Sequence, residues 1–242
     1  NGRLSIATGA GGDIPTPPVA ALGENQNAPA SVPANIPKSD RPNVELFVMS
    51  YCPYGMDMEQ NALIPAYNVL KNKADINVKF VSYAMHGKQE VEENTTQFCA
   101  QQQGSEKYFK YLSCFNSSGD STSCLQQAGL KERDVTRCVA ETNKKYGILE
   151  KYNDQASWLS GRYPIYPIHE ELNNKYQVQG SPTLVINGVQ VNADRTAAGL
   201  TAAICAAFNK APAECEQFLA AAPTQPTAAV VQNNQGGCGG NI

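Results

Sequence analysis

No two of the eight cysteines form a Cys-x-x-C pair, and there are only two histidines and one tryptophan. With so few nitrogen ligands and no Cys-x-x-C pair, a structural zinc site is not expected, and no metal or cofactor is part of the principal reading. Charge of one sign is not in excess: the formal net charge is −3 and no basic stripe occurs, which argues against a nucleic-acid partner. No apolar run approaches the length needed to cross a bilayer, so the only membrane connection expected is an N-terminal anchor or signal segment preceding Asn1. Residues 1–42 contain no aromatic residue and no cysteine and are rich in Gly, Ala, Pro and Asn. Such a segment cannot bury enough apolar surface to offset its ordering entropy, so it is expected to be a disordered or extended tether. From Leu219 onward there is again no charge and no aromatic, and 219–242 is expected to be a flexible tail carrying Cys238.

What the chain does have is an even number of scattered cysteines, at 52, 99, 114, 124, 138, 205, 215 and 238. That pattern favours disulfides and an oxidising, extracytoplasmic location: cell envelope, periplasm or secreted. The alternative is a set of reduced, buried cysteines in a cytosolic protein. Cys205 and Cys215 flank AAFNKAPAE, where a bridge would pin the segment after the last helix. Cys99, Cys114, Cys124 and Cys138 can close among themselves, and four cysteines allow three connectivities. Spacing favours Cys114–Cys124 across the NSSGDSTS turn and Cys99–Cys138 between flanking helices. The shorter of these loops would contribute about 2–3 kcal/mol in a loop-entropy account. Cys52 and Cys238 are left over.

Residues 44–49 form an apolar run suited to a buried strand. After Cys52, Pro53 suits a first helical position, and Met56, Leu63, Tyr67 and Leu70 then share one helical face, with a kink expected at Pro65. Ile76, Val78 and Phe80 alternate with polar residues, giving a second strand through about Ala84. This is a βαβ unit and requires a parallel pair. Residues 89–179 are mostly helical in composition, interrupted by Pro164 and Pro167, with Trp158 as a core anchor. SPTLVINGVQV then reads as a hairpin around Asn187-Gly188, and Asp194 can cap a last helix over 195–209. Strand, helix, strand, helical insertion, hairpin, helix is an α/β order: a thioredoxin fold with a disulfide-containing helical insertion between its βαβ and ββα halves. The halves are 43–88 and 180–218, and the insertion is 89–179.

Three stretches, VELFVMSYCPYG, the cysteine-rich insertion and GSPTLVING, make residues 43–216 resemble the DsbA-like thioredoxin-fold oxidoreductases. Among these the chain is similar to prokaryotic relatives of the gamma-interferon-inducible lysosomal thiol reductase. The match departs at CAQQQG, 99–104, which is not a full copy of that reductase's Cys-Gln-His-Gly signature. The resemblance implies thiol–disulfide exchange on protein substrates. It also implies a cis Pro182 in the Ser181-Pro182-Thr183 loop beside Cys52, with the Ser181 backbone offering a docking edge.

Cys52 sits where a strand meets a helix N-terminus, and unpaired N–H groups there favour the nucleophilic thiolate. Pro53, Tyr54 and Gly55 complete the motif and are expected at the substrate site. Gly55 stands where a dithiol enzyme has its second cysteine, which makes the motif monothiol. An external thiol, a substrate thiol or another cysteine of the chain must then release a mixed disulfide. Cys238, on a tail with a reach of roughly 20–25 Å, is a candidate resolving thiol or cap for Cys52; alternatively it is an exposed tail thiol that bonds between molecules. The redox partner is not identifiable from sequence. Two other classes remain: a copper-handling protein, because Met49, Met56, Met58, Met85 and His86 surround Cys52 in sequence, and a binding module without redox activity, which Gly55 favours. His86 and His169 read as surface and helix-start residues. Asn94 and Asn116 each begin a glycosylation sequon, a triplet common by chance.

Overall fold

The computed structural model describes residues 35–221 and 236–240. The expected tether up to residue 34 and the tail residues 222–235, 241 and 242 lie outside the described residues.

Strand β1 (Asn43–Val48) is buried along almost its whole length. It leads into α1 (Pro53–Met58), a π-helical turn (Glu59–Leu63) and α2 (Ile64–Leu70), which are continuous. Strand β2 (Asp75–Phe80) returns parallel to β1. The insertion follows: α3 (Lys88–Gln101), α4 (Ser105–Ser118), α5 (Ser121–Gln127), α6 (Glu132–Tyr146), α7 (Ile148–Asn153) and α8 (Glu170–Tyr176). The chain re-enters the sheet through β3 (Gly180–Ser181), β4 (Thr183–Ile186) and β5 (Val189–Gln190), then forms α9 (Ala197–Ala206), α10 (Ala213–Ala221) and β6 (Cys238–Gly239). The main sheet has the order β2-β1-β4-β5, with β4 antiparallel to both neighbours.

Alternation along β1 divides the interior. Val44, Leu46 and Val48 face a large core built with α2, α9 and the insertion, whereas Phe47 and Met49 face a smaller cluster with Cys52, Val81, Tyr83 and Val185. Tyr176 of α8 closes that second face, edge-on to Phe47 at 6.0 Å. Both faces of the strand are therefore covered, which is why it reads as a continuous apolar run.

The structure departs from the sequence expectations at several points. The fold begins before residue 43: Ile36 is buried, the Ser39 N–H donates to the Ala207 carbonyl at 2.9 Å, and Arg41 pairs with Asp75 at 2.7 Å. Tail residues 219–221 belong to α10, and 236–240 are docked against the fold. A π turn immediately precedes the segment with Pro65 and adds one residue to the helix. The buried face therefore runs back from Leu63 to Met58 and Glu59, leaving Met56 half-buried. Strand β2 ends at Phe80, and only an isolated bridge, Tyr83 to Ile165, continues it. Helix α9, expected as the last one but followed by α10, is capped by Thr196, whose side chain accepts the Gly199 N–H, rather than by Asp194. Trp158 lies half-buried outside the core, where its indole N–H donates to the Tyr152 carbonyl at 3.1 Å and ties off α7.

His169 does more than begin α8: it is half-buried at the helix N-cap, not a surface residue. Its Nδ1 accepts the Phe80 N–H at 3.0 Å, which joins the end of β2 to the start of α8. Burial, with Lys79 nearby, pulls its pKa down to about 3, so the ring stays neutral and the acceptor stays available. Both sequon asparagines are used inside the fold: Asn94 Oδ1 accepts the Ser50 N–H at 3.0 Å, and Asn116 Nδ2 donates to Glu59 Oε2 at 2.9 Å.

Candidate active site

Cys52 is the N-cap residue of α1, in extended backbone with φ −75° and ψ 116°, and Pro53 occupies the first helical position. Proline here sacrifices no helix donor, because first-turn N–H groups have no partner within the helix. The Cys52 N–H closes the preceding turn onto the Met49 carbonyl at 2.9 Å. The Ser181–Pro182 peptide bond is cis, and it brings this loop against the turn. Cys52 Sγ lies 3.4 Å from the Ser181 carbonyl oxygen, and Ser181 Oγ accepts the Met49 N–H at 3.0 Å. Thr183 Oγ1 donates to the Gly180 carbonyl at 2.7 Å and shapes the loop from the other side.

Gly55 faces the same loop. A β-carbon there would stand 2.7 Å from Ser181 Oγ. The position that holds a second cysteine in a dithiol motif is thus taken up by the serine hydroxyl that secures Met49.

The partner of Cys52 comes from the other end of the chain. Its sulfur is bonded to that of Cys238, and the segment carrying Cys238 is not loose: β6 pairs antiparallel with β3, Cys238 opposite Ser181 and Gly239 opposite Gly180. The remaining cysteines join as Cys99–Cys138, Cys114–Cys124 and Cys205–Cys215. Tyr54 is 37 % exposed and its ring lies over Gly236. Pro53 is exposed, while Pro182 and Thr183 are half-buried at the groove between β3 and α1.

Two groove residues carried no signal in the sequence. Arg195 Nη1 donates to the Gly236 carbonyl at 2.6 Å, and the Tyr83 hydroxyl donates to the Gln179 carbonyl at 2.5 Å. Arg195 sits in a polar loop and Tyr83 in an irregular stretch after β2, so only the folded chain brings them to Cys52.

Behind the site lies a buried acidic layer. Glu59 follows Cys52 by two helical turns; burial pushes its pKa up to about 8, against the Asn116 hydrogen bond that lowers it. Burial likewise lifts Glu93 to about 7, although Tyr111 donates to it at 2.6 Å and Gln97 at 3.1 Å. His86, next to Met85, is paired with Glu90. Met49 and Met85 pack with Cys52 and Cys238 in the smaller apolar cluster, and among the described residues no group of three or more His, Cys, Asp or Glu could hold a metal ion.

Comparison with solved structures gives DsbG of Mycobacterium tuberculosis at a TM-score of 0.53, with 15% identity over 77% of this chain and 92% of that one. DsbA of the same organism, in its reduced form, superposes at 0.52 with 15% identity, covering 76% of this chain and 96% of that one. This is a DsbA-like thioredoxin fold. Residues 43–142 match the family described as gamma interferon inducible lysosomal thiol reductase (GILT), so the DsbA-like chain is related to GILT across β1, the Cys52 helix and most of the insertion. No curated protein matches the chain.

Proposed function

We propose that the protein catalyses thiol–disulfide exchange on protein substrates outside the cytoplasm, with Cys52 as the nucleophile and Cys238 as its partner in the redox pair. The observation that carries this is the Cys52–Cys238 bridge at a helix N-terminus, beside a cis-proline loop whose strand edge pairs with the segment carrying Cys238. Gly55 deprives the motif of its second cysteine, and Cys238 replaces it from a distant part of the sequence. This makes the site a two-cysteine one rather than monothiol.

Once reduced, the Cys52 sulfur lies at the start of a helix that is continuous to Leu70, where backbone N–H groups and the helix dipole favour the thiolate. In the reducing direction this thiolate attacks a substrate disulfide, forms the Cys52–substrate bond and releases one substrate thiolate. The Cys238 thiolate then attacks Cys52 Sγ, releasing the second substrate thiolate and closing the bridge. Two electrons pass to the substrate. In the oxidising direction the same bonds form and break in reverse order. A redox partner of the dithiol or disulfide class resets the pair. Extracytoplasmic action fits four bridges in one small domain. Among the described residues no helix is long and apolar enough to cross a membrane.

Reduction of a protein disulfide by the prereduced protein, and oxidation of a dithiol peptide by the oxidised form, test the assignment. Cys52→Ser is expected to abolish both. Cys238→Ser should retain the first attack, slow release and accumulate mixed disulfides visible by nonreducing mass spectrometry. Full activity of Cys52→Ser would defeat the assignment.

A further inference from the structure

The groove beside Cys52 is filled by a segment that fits it contact by contact. Residues 236–240, Gly-Gly-Cys-Gly-Gly, run antiparallel to β3, and the Gly240 N–H donates to the Gln179 carbonyl at 3.0 Å. Arg195 holds the Gly236 carbonyl at 2.6 Å. A β-carbon on Gly236 would overlap the Tyr54 ring. One on Gly239 would overlap the Tyr83 hydroxyl and stand 2.9 Å from the Gln179 carbonyl. Tyr83 is not free to turn aside, because that hydroxyl is bonded to Gln179 and its ring is packed in the cluster around Cys52. Gly239 also has φ +94°, a backbone state that disfavours any side chain. On the groove's own side, a β-carbon on Gly180 would lie 2.5 Å from the Cys238 carbonyl oxygen. The approach of the two backbones therefore needs glycine on both strands.

Apart from the cysteine sulfur, these polar contacts are made by the segment's backbone. A foreign polypeptide with glycines in the same places can reproduce every one of them, in the manner of an added strand. We propose that residues 236–240 are a tethered mimic of the protein substrate, and that the groove takes extended segments whose cysteine carries glycine two residues before and one residue after it. This deepens the proposed function and rests on Cys52 being the nucleophile. The closed bridge stores the disulfide and also occupies the substrate's place, so substrate enters as the tail leaves.

The test uses the full chain carrying Cys238→Ser, which leaves Cys52 free. The probe is the blocked peptide Gly-Gly-Cys-Gly-Gly, its cysteine activated as a mixed disulfide with thionitrobenzoate. The Cys52 thiolate attacks the peptide sulfur, the Cys52–peptide disulfide forms, and thionitrobenzoate leaves and is read by its absorbance. Valine two residues before the cysteine, or one residue after it, should each slow the reaction by about tenfold or more, as overpacking a closed contact does. The docked serine tail competes equally with every peptide, so the ratios are unaffected. Tyr54→Ala should relieve the first penalty and leave the second. Equal rates for all peptides, or a first penalty untouched by Tyr54→Ala, would overturn the glycine requirement and leave Cys52 chemistry standing. Reaction with every peptide no faster than that of free cysteine would instead remove the exchange function itself.

Discussion

Alanine at Gly55 probes why the fourth position of the motif, where a dithiol enzyme has its second cysteine, carries no side chain. The residue lies in the first turn of α1, where replacing glycine by alanine ordinarily stabilises a helix by about 0.5–1 kcal/mol. Here the added carbon would stand 2.7 Å from Ser181 Oγ. The hydroxyl can rotate away, but it accepts the Met49 N–H at 3.0 Å, and both residues are buried. Orphaning that donor costs about 1–3 kcal/mol, more than the helix gains. Gly55→Ala should therefore destabilise by about 1–2 kcal/mol in the native background. In a Ser181→Ala background the obstacle is gone and the Met49 donor has already lost its acceptor. There the same change should stabilise by about 0.5–1 kcal/mol. Urea unfolding of the four proteins with the bridges intact, comparing midpoints at constant slope, measures the cycle. Additivity of the two substitutions within about 0.5 kcal/mol would refute the contact as the reason for Gly55. The same geometry predicts that restoring the Cys-x-x-C spelling with Gly55→Cys alone disturbs the cis-proline loop.

Two further outcomes follow from the buried charge and the docked tail. Glu59 is protonated in the folded protein up to about pH 8 but, with an ordinary value of 4.5 when unfolded, it ionises earlier there. The folded state thus holds the extra proton between those values, and stability falls as pH rises through the window by about 1.4 kcal/mol per unit. Glu59→Gln removes this loss, so the variant should be more stable than the native protein at pH 8, with the difference shrinking toward pH 4.5. Among the described residues neither Glu59 Oε1 nor Asn116 Oδ1 has a hydrogen-bond partner, so an amide N–H at residue 59 stands in for the proton that the acid carries below about pH 8 and, unlike it, is not lost as pH rises. Chemical denaturation at several pH values reads this out, and a parallel pH dependence in the two proteins would contradict it. Arg195→Ala removes the charged donor to Gly236; a partly exposed contact of this kind contributes about 1 kcal/mol, so reduction of the Cys52–Cys238 bridge in a glutathione titration should become about fivefold easier. An unchanged equilibrium would show that Arg195 does not hold the tail.

The parts of the fold that were legible in sequence are those set by local periodicity and turn chemistry. The apolar run of β1, the alternation of β2 and the Asn187-Gly188 turn each bury or expose side chains by their own spacing, and each was recovered near its expected place. Cys52 before Pro53 was readable because a strand end, a proline and a helix start are neighbours in the chain. Local patterns failed where a long-range contact outweighed them. Ile36 and Ser39 sit in a segment whose average composition looks unstructured, yet Ile36 is buried and Ser39 is hydrogen-bonded to the turn after α9. The π turn moved the buried helical face by one residue, and His169 became a link between β2 and α8 because its nitrogen meets the N–H at the end of β2.

From the order of residues alone came the architecture, an expected active sulfur at a helix start and three favoured cysteine pairings, because periodicity, capping and loop length act over short stretches. The groove around that sulfur is another matter. That a glycine-rich tail lies as a strand against Ser181, and that Tyr54, Tyr83 and Arg195 close on its backbone, depends on surfaces brought together from segments up to about 180 residues apart, where the close approach of two backbones leaves no room for a β-carbon.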